Sequence, residues 1–400
     1  MLDKHKLISI ADSYLERTVK LAGEMINIPS QSGDEGKLAE FVRQVLLEEQ
    51  FDKVYRDELG NIIGHIKGHG GPSIMFNCHL DTVGPGDLEA WKRDPWTSTV
   101  DNGILYGLGA SDTKGAFACQ IMAASALKKN DILPDGDIVV VGVVHEESSG
   151  LGSRFLAKNL YTDSVIIGEA TNNQINIGHR GRMQFDIYLT GKSAHASAPE
   201  RGVNPHYVAA AIILGIQKFP MRSDSFFGTS SVAPTLYTID QRNSNTTPGQ
   251  VVLSLDWRNI PSESEEEIFQ RIESLVESCL IPGVDARIEI KTHDLICYTG
   301  YKANAPAGEP SFSTPYDDPT VLKAQRVLED VFNSKVQIGV AQFATDGGHF
   351  RSLGSKVIIF SPSEERFCHT PNDCVAIDKM RDALLGNMAL ALSLGSKSGI

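Results

Sequence analysis

Imidazoles and carboxylates recur in this chain where apolar runs end. SIMFNCHLDT carries His79 and Asp81, and LGASDTKG carries Asp112. DIVVVGVVHEESSG carries Glu146 and Glu147, SVIIGEA carries Glu169, and KVIIFSPSEERFCHTPND carries His369. Four of these five islands begin as β-branched or apolar stretches, the pattern of buried strands. Ligands of open α/β sheets bind outside the carboxyl ends of the strands, where these residues fall. His79, Asp112, Glu147, Glu169 and His369 supply two imidazoles and three carboxylates. A catalytic Zn²⁺ takes three protein ligands plus water, so five exceed the needs of one ion. With Asp112 as a bridge, each of two ions would receive one His, one terminal Glu and half of Asp112. Such a pair polarises a carbonyl and generates a hydroxide nucleophile. Mixed N/O ligation suits Zn²⁺, with Co²⁺ or Mn²⁺ as substitutes. Asp81, two residues beyond His79, is expected to accept the imidazole's other N–H. Side chains of the adjacent Glu146 and Glu147 diverge, so one can ligate while the other holds the attacking water as general base.

These residues need a scaffold that brings distant segments together. The chain reads as helical from Ile8 to Glu49, broken near Pro29 and Gly33. A hairpin follows in DKVYRDELGNIIGHIKG, and strands then alternate with helices to about residue 178. Alternation of this kind implies βαβ units on a mostly parallel sheet with helices on both faces. The next stretch changes character. RMQFDIYLTG alternates with period two, and Asn204-Pro205 opens a helix. Strands follow near Ala233–Asp240 and Gln250–Trp257, then a helix capped by Ser264, then DARIEIKTHDL. The order β-α-β-β-α-β predicts a ferredoxin-like insert over about residues 179–294. Because His369 comes after it, the expected catalytic domain is discontinuous, 1–178 with 295–400, and the insert is a lid and dimerisation domain.

Bulk composition narrows the function classes. Four hundred residues suggest two domains, and 41% hydrophobic with 22% charged residues is globular usage. A formal net charge of -13 argues against nucleic acid or an anionic membrane as partner. The six cysteines lack disulfide-framework spacing, and the N-terminus reads as charged and amphipathic, so a cytoplasmic location is expected.

The five motifs, in this order, resemble the dinuclear zinc peptidase and deacylase family of acetylornithine deacetylase, succinyl-diaminopimelate desuccinylase, aminoacylase and carboxypeptidase G. HRGRMQFDIYLTGKSAHASAPERGVNP looks most like its selenium-metabolism-linked hydrolase branch. The resemblance spans essentially the whole chain. It implies one zinc on His79, Asp112 and Glu169 and another on Asp112, Glu147 and His369. It further implies Glu146 as base, Asp81 as orienting carboxylate and a cis peptide at Asp112-Thr113. In the insert, His195 would stabilise the oxyanion across a dimer interface, Arg258 would grip a substrate carboxylate, and Asn245 and Arg180 would add contacts. Two departures are Gly84 before Pro85, and His145 where relatives carry an acid.

Plainer readings stand beside these. Asp112 has the position of a helix N-cap before Lys114–Lys129. Cys78 and Cys368, each just before a candidate His, should point away from the site as buried thiols. No G-x-S-x-G elbow supports a serine hydrolase. The sequence reading is a metal-dependent amide hydrolase for N-acyl amino acids or small peptides with a free carboxylate. The alternatives are a dipeptidase or aminopeptidase of the same family, or a non-catalytic binding relative.

Overall fold

The computed structural model describes residues 3–397. It divides into two compact units: one from the chain up to Gly178, Asp294–Ala303 and Phe312 onward, the other from His179–His293 with Asn304–Ser311. The expected insert thus also takes in a short stretch of the returning chain.

The first unit is a nine-stranded sheet. Its central order is Ile138–Val143, Ile74–His79, Ser164–Ile167, Lys356–Ile359. All three pairings among these strands are parallel. The hairpin Lys53–Arg56/Ile62–Ile66 joins one side antiparallel, and Ile175–His179 joins the other. Every residue of the first three central strands is buried, which is why they read as unbroken apolar runs. Alternate side chains serve two faces. Met75, Val139, Val141, Val165, Val357 and Ile359 pack with Leu156 and Phe350 on one side. On the other side the helix Gly115–Lys129 comes close enough that a Cβ on Gly142 would lie 3.0 Å from the Phe117 ring. That helix packs with Lys4–Ile26 and Ile377–Leu394. It is buried almost throughout, so it lacks an amphipathic stripe.

The second unit has the expected β-α-β-β-α-β order: Met183–Thr190, His206–Ile216, Ser231–Ile239, Gln250–Arg258, Glu265–Cys279 and Asp285–Ile290. Its sheet runs Ser231–Ile239, Gln250–Arg258, Met183–Thr190, Asp285–Ile290, all antiparallel. Met183, Phe185, Ile187 and Leu189 point to one face and meet Val208, Ile212, Ile268 and Ile272 from the helices. Ser264 accepts from the Glu267 N–H, the predicted cap, and the Asn204 side chain accepts from the His206 N–H. The run DARIEIKTHDL splits at Lys291, with Thr292–Ile296 forming a separate strand. Among the described residues, no helix is long and apolar enough to cross a membrane.

Candidate metal centre

Three neighbouring parallel strands deliver most of the candidate ligands. His79 is the last residue of its strand, Glu169 stands two residues beyond Ile167, and Glu146-Glu147 open the short helix Glu146–Ser149 three residues after Val143. Ile138–Val143 and Ser164–Ile167 flank Ile74–His79, with Val143 opposite His79 and Ile167 opposite Asn77, so Glu169, two residues further on, comes level with His79. Asp112 comes from an irregular turn at Ala110–Lys114 ahead of the helix Gly115–Lys129. Its φ/ψ are non-helical, its peptide bond to Thr113 is cis, and it does not cap that helix, which begins at Gly115 without a side-chain cap. His369 lies on the loop after Lys356–Ile359, in a left-handed conformation with φ 56°.

These segments converge on a cavity of about 270 Å³ lined by Asp112, Glu146, Glu147, Glu169 and His369. The Asp112 carboxylate lies between two half-sites. Its Oδ1 is 2.9 Å from His79 Nε2, which is 3.4 Å from Glu169. Its Oδ2 is 3.0 Å from His369 Nε2, which is 3.1 Å from Glu147. His79 Nδ1 meets the Asp81 carbonyl oxygen at 2.7 Å. A carbonyl only accepts, so the proton sits on Nδ1 and the Nε2 lone pair is left for a cation. The expected carboxylate partner is therefore corrected to the backbone: the Asp81 carboxylate is 3.9 Å from that nitrogen. It instead accepts the N–H groups of Glu146 and Glu147 at 3.1 Å each and the Ser32 hydroxyl at 2.6 Å. An anion at these amides holds the first turn of the short helix, and with it both glutamates.

Charge crowding shows what the donor set requires. Burial, followed by the charges of Glu169, Asp346 and Glu147, pushes the Glu146 carboxyl well above its usual range. Burial and Asp112 raise Glu169 to about 7. The hydrogen bonds to Asp112 and Glu147 raise His369 to about 10. Burial opposes a charge on His79, yet its bonds to Asp112 and Glu169 outweigh that and raise it well above 6.5. Protons thus take the place of positive charge among buried carboxylates, and divalent cations fit the same donors. The candidate ligand atoms of His79, Asp112 and Glu147 lie within 4.8 Å of one another, as do those of His79, Glu146 and Glu169.

Several neighbours were not legible in the sequence. Cys368 lines the cavity rather than pointing away, because it follows a turn at Glu365–Phe367 and is not on a strand. Cys78 does turn away, onto Gln120 at 3.2 Å. The fully buried Glu35 accepts from the N–H groups of Gly33 and His145 and so supports the segment entering Glu146. No spacing rule pairs residue 35 with residue 145.

The insert holds its own group of expected residues. His195 is exposed, and its strand Ala194–His195 pairs with Thr246–Thr247 while the Ala196 N–H donates to the Asn245 carbonyl. Its Nδ1 accepts from the Ser197 N–H, which puts the neutral ring's proton on Nε2. Arg258 is half-exposed and paired with Asp256 at 2.7 Å, so it is not a buried lone cation. Arg180 donates to the Arg258 carbonyl and to Ser231 Oγ.

A family profile described as Peptidase family M20/M25/M40 matches residues 75–389. Escherichia coli K12 has a relative, the uncharacterised protein YgeY, that is 28% identical over 92% of each chain. The succinyl-diaminopimelate desuccinylase of Sulfurimonas denitrificans is 25% identical, over 91% of this chain and 96% of its own. Among solved structures, Bacillus subtilis YXEP, described as a dinuclear metal binding peptidase, shares the fold. Its TM-score is 0.70 at 17% identity, covering 95% of this chain and 98% of that one.

Proposed function

The chain belongs to peptidase family M20/M25/M40, whose members are metal-dependent peptidases and amidohydrolases, and from that premise we propose a dinuclear deacylase or carboxypeptidase-type activity. The substrates are N-acyl amino acids or short peptides with a free carboxylate. The observation that carries this reading is the Asp112 carboxylate, whose two oxygens each face a different histidine. His79, Asp112 and Glu169 would hold one ion and Asp112, Glu147 and His369 the other. When bound, two divalent ions, Zn²⁺ first with Co²⁺ or Mn²⁺ as substitutes, polarise the scissile carbonyl and acidify water.

The protein's own part is proton handling and positioning. Glu146 accepts a proton from the attacking water as the new C–O bond forms, then passes it to the departing nitrogen as the C–N bond breaks. Asp81 keeps Glu146 and Glu147 in place through their backbone N–H groups. In a homodimer formed through the insert, His195 Nε2–H is a donor suited to the oxyanion of the tetrahedral intermediate. Arg258, with Asn245 and Arg180 beside it, would take the substrate carboxylate, a pairing that guanidinium geometry favours.

The test combines stoichiometry with substrate chemistry. Metal-free protein reconstituted with Zn²⁺ should bind two ions per chain and hydrolyse members of an N-acetyl, N-succinyl and N-formyl amino-acid panel. Amidating the substrate carboxylate should cost roughly tenfold or more in kcat/KM, about 1.4 kcal/mol per decade. Equal turnover of acid and amide would move the reading to an aminopeptidase-like enzyme, and saturation at one ion would end the bridging role of Asp112.

A further inference from the structure

We propose that Asp373 is a positioning residue of the metal centre. Its buried carboxylate clamps the loop carrying Asp112 to the segment carrying His369, and so sets the half-site those two residues share with Glu147. The inference rests on the dinuclear reading above.

Asp373 is 1% exposed. Its Oδ2 accepts the Gly109 N–H at 2.6 Å and its Oδ1 the Ser111 N–H at 2.8 Å. Its carbonyl accepts the Gly107 N–H at 3.1 Å, and the carbonyl of Cys374 accepts the Ser111 hydroxyl at 2.7 Å. Two consecutive residues therefore hold 107–111, the stretch that leads directly into Asp112. That stretch has no ladder of its own: Gly107 and Gly109 have φ of 142° and 87°, conformations that suit glycine and leave these amides outside regular structure.

The clamp is itself anchored. Cys374–Ala376 pairs with Ile104–Tyr106 in a registered antiparallel ladder, so Asp373 stands at the end of a fixed strand. Upstream, the Asp373 N–H donates to the Thr370 carbonyl, one residue after His369. The 3.0 Å approach of His369 Nε2 to Asp112 Oδ2 thus spans two segments fastened to each other through Asp373. His79 and Glu169 are carried by other strands, Ile74–His79 and Ser164–Ile167. The group must be acceptor-only, because both its partners are N–H donors; an amide would turn an NH₂ toward one of them.

Full-length metal-free protein is titrated with Co²⁺, following visible absorbance and bound metal after gel filtration, for wild type, Asp373→Asn and Ser111→Ala. Denaturant unfolding of the metal-free variants checks that they fold. Wild type should bind two ions. Asp373→Asn should bind one of them about 10–100-fold more weakly, the range for residues that orient metal ligands, with the other changed by less than about threefold. Ser111→Ala, which removes one bond to Cys374, should weaken the same ion by less. One ion in wild type would overturn the dinuclear reading itself. Two ions in wild type with unchanged affinities, or equal loss of both, in folded Asp373→Asn would overturn the clamp. Should Asp373→Asn fail to fold, Ser111→Ala decides by the same criterion.

Discussion

Glu146 and Glu147 are chemically identical neighbours, and their surroundings separate them. Glu147 is 3.1 Å from His369, while Glu146 shares buried space with His79 and Glu169. Glu146→Gln should therefore keep both metals and lose turnover by about 10²–10⁴-fold, the usual worth of a general base. Glu147→Gln should lower metal retention, read by metal analysis after dialysis. The reverse pattern would exchange the two roles. Protonation makes a second prediction at this scale. His369, raised to about 10, and Glu169, raised to about 7, hold protons in the metal-free centre at neutral pH, and a cation must displace them. Metal affinity should then rise with pH, most steeply below about 7, where Glu169 and His369 must both give up a proton, and less steeply from there to about 10, where only His369 does. Calorimetric titration in buffers of different ionisation enthalpy counts the released protons; no release would show that the ligands are already deprotonated before the ion arrives.

At the scale of elements, the site depends on parallel strands held in register and packed without slack. Gly168 joins the Ser164–Ile167 strand to Glu169, and a Cβ there would fall 2.1 Å from the Sγ of Cys78, the residue that precedes His79. Gly168→Ala should destabilise the protein by about 1–3 kcal/mol through overpacking. Combining it with Cys78→Ala, which vacates that space, should recover much of the loss. A denaturant-based double-mutant cycle measures the coupling, and strict additivity would show that the sulfur is not the obstacle. Helices and strands of the insert were readable because each carries its own signal: period two in RMQFDIYLTG, a cap at Ser264, a Pro at residue 205. Where such signals were absent the expectation drifted. DARIEIKTHDL has no breaker to mark its split at Lys291, and the irregular turn around Asp112 resembles a helix start in sequence.

At the scale of the whole molecule, one sheet edge bears on assembly. The edge strand Ser231–Ile239 is exposed along most of its length and shows Leu236, Tyr237 and Ile239 to solvent. A strand edge of that kind favours pairing with a second copy. Chains carrying His195→Ala and chains carrying Glu146→Gln, each inactive alone, should regain part of the activity when refolded together as mixed dimers. Verified heterodimers that stay inactive would argue against a shared site.

The amino-acid order by itself determined the candidate ligand types, the strands that lead to them, the β-α-β-β-α-β insert and the family, because each is written in local periodicity, caps or short motifs. Tertiary structure decided which atoms meet. Parallel pairing brings Val143 and the segment after Ile167 alongside His79, and the chain's return brings His369 to Asp112, 257 positions away in sequence (369 − 112). It also decided that the Asp81 carbonyl, not its carboxylate, orients His79, and that Asp373 holds the Asp112 loop. Contacts of this sort join backbone groups of segments far apart in sequence, and no side-chain spacing along the chain encodes them.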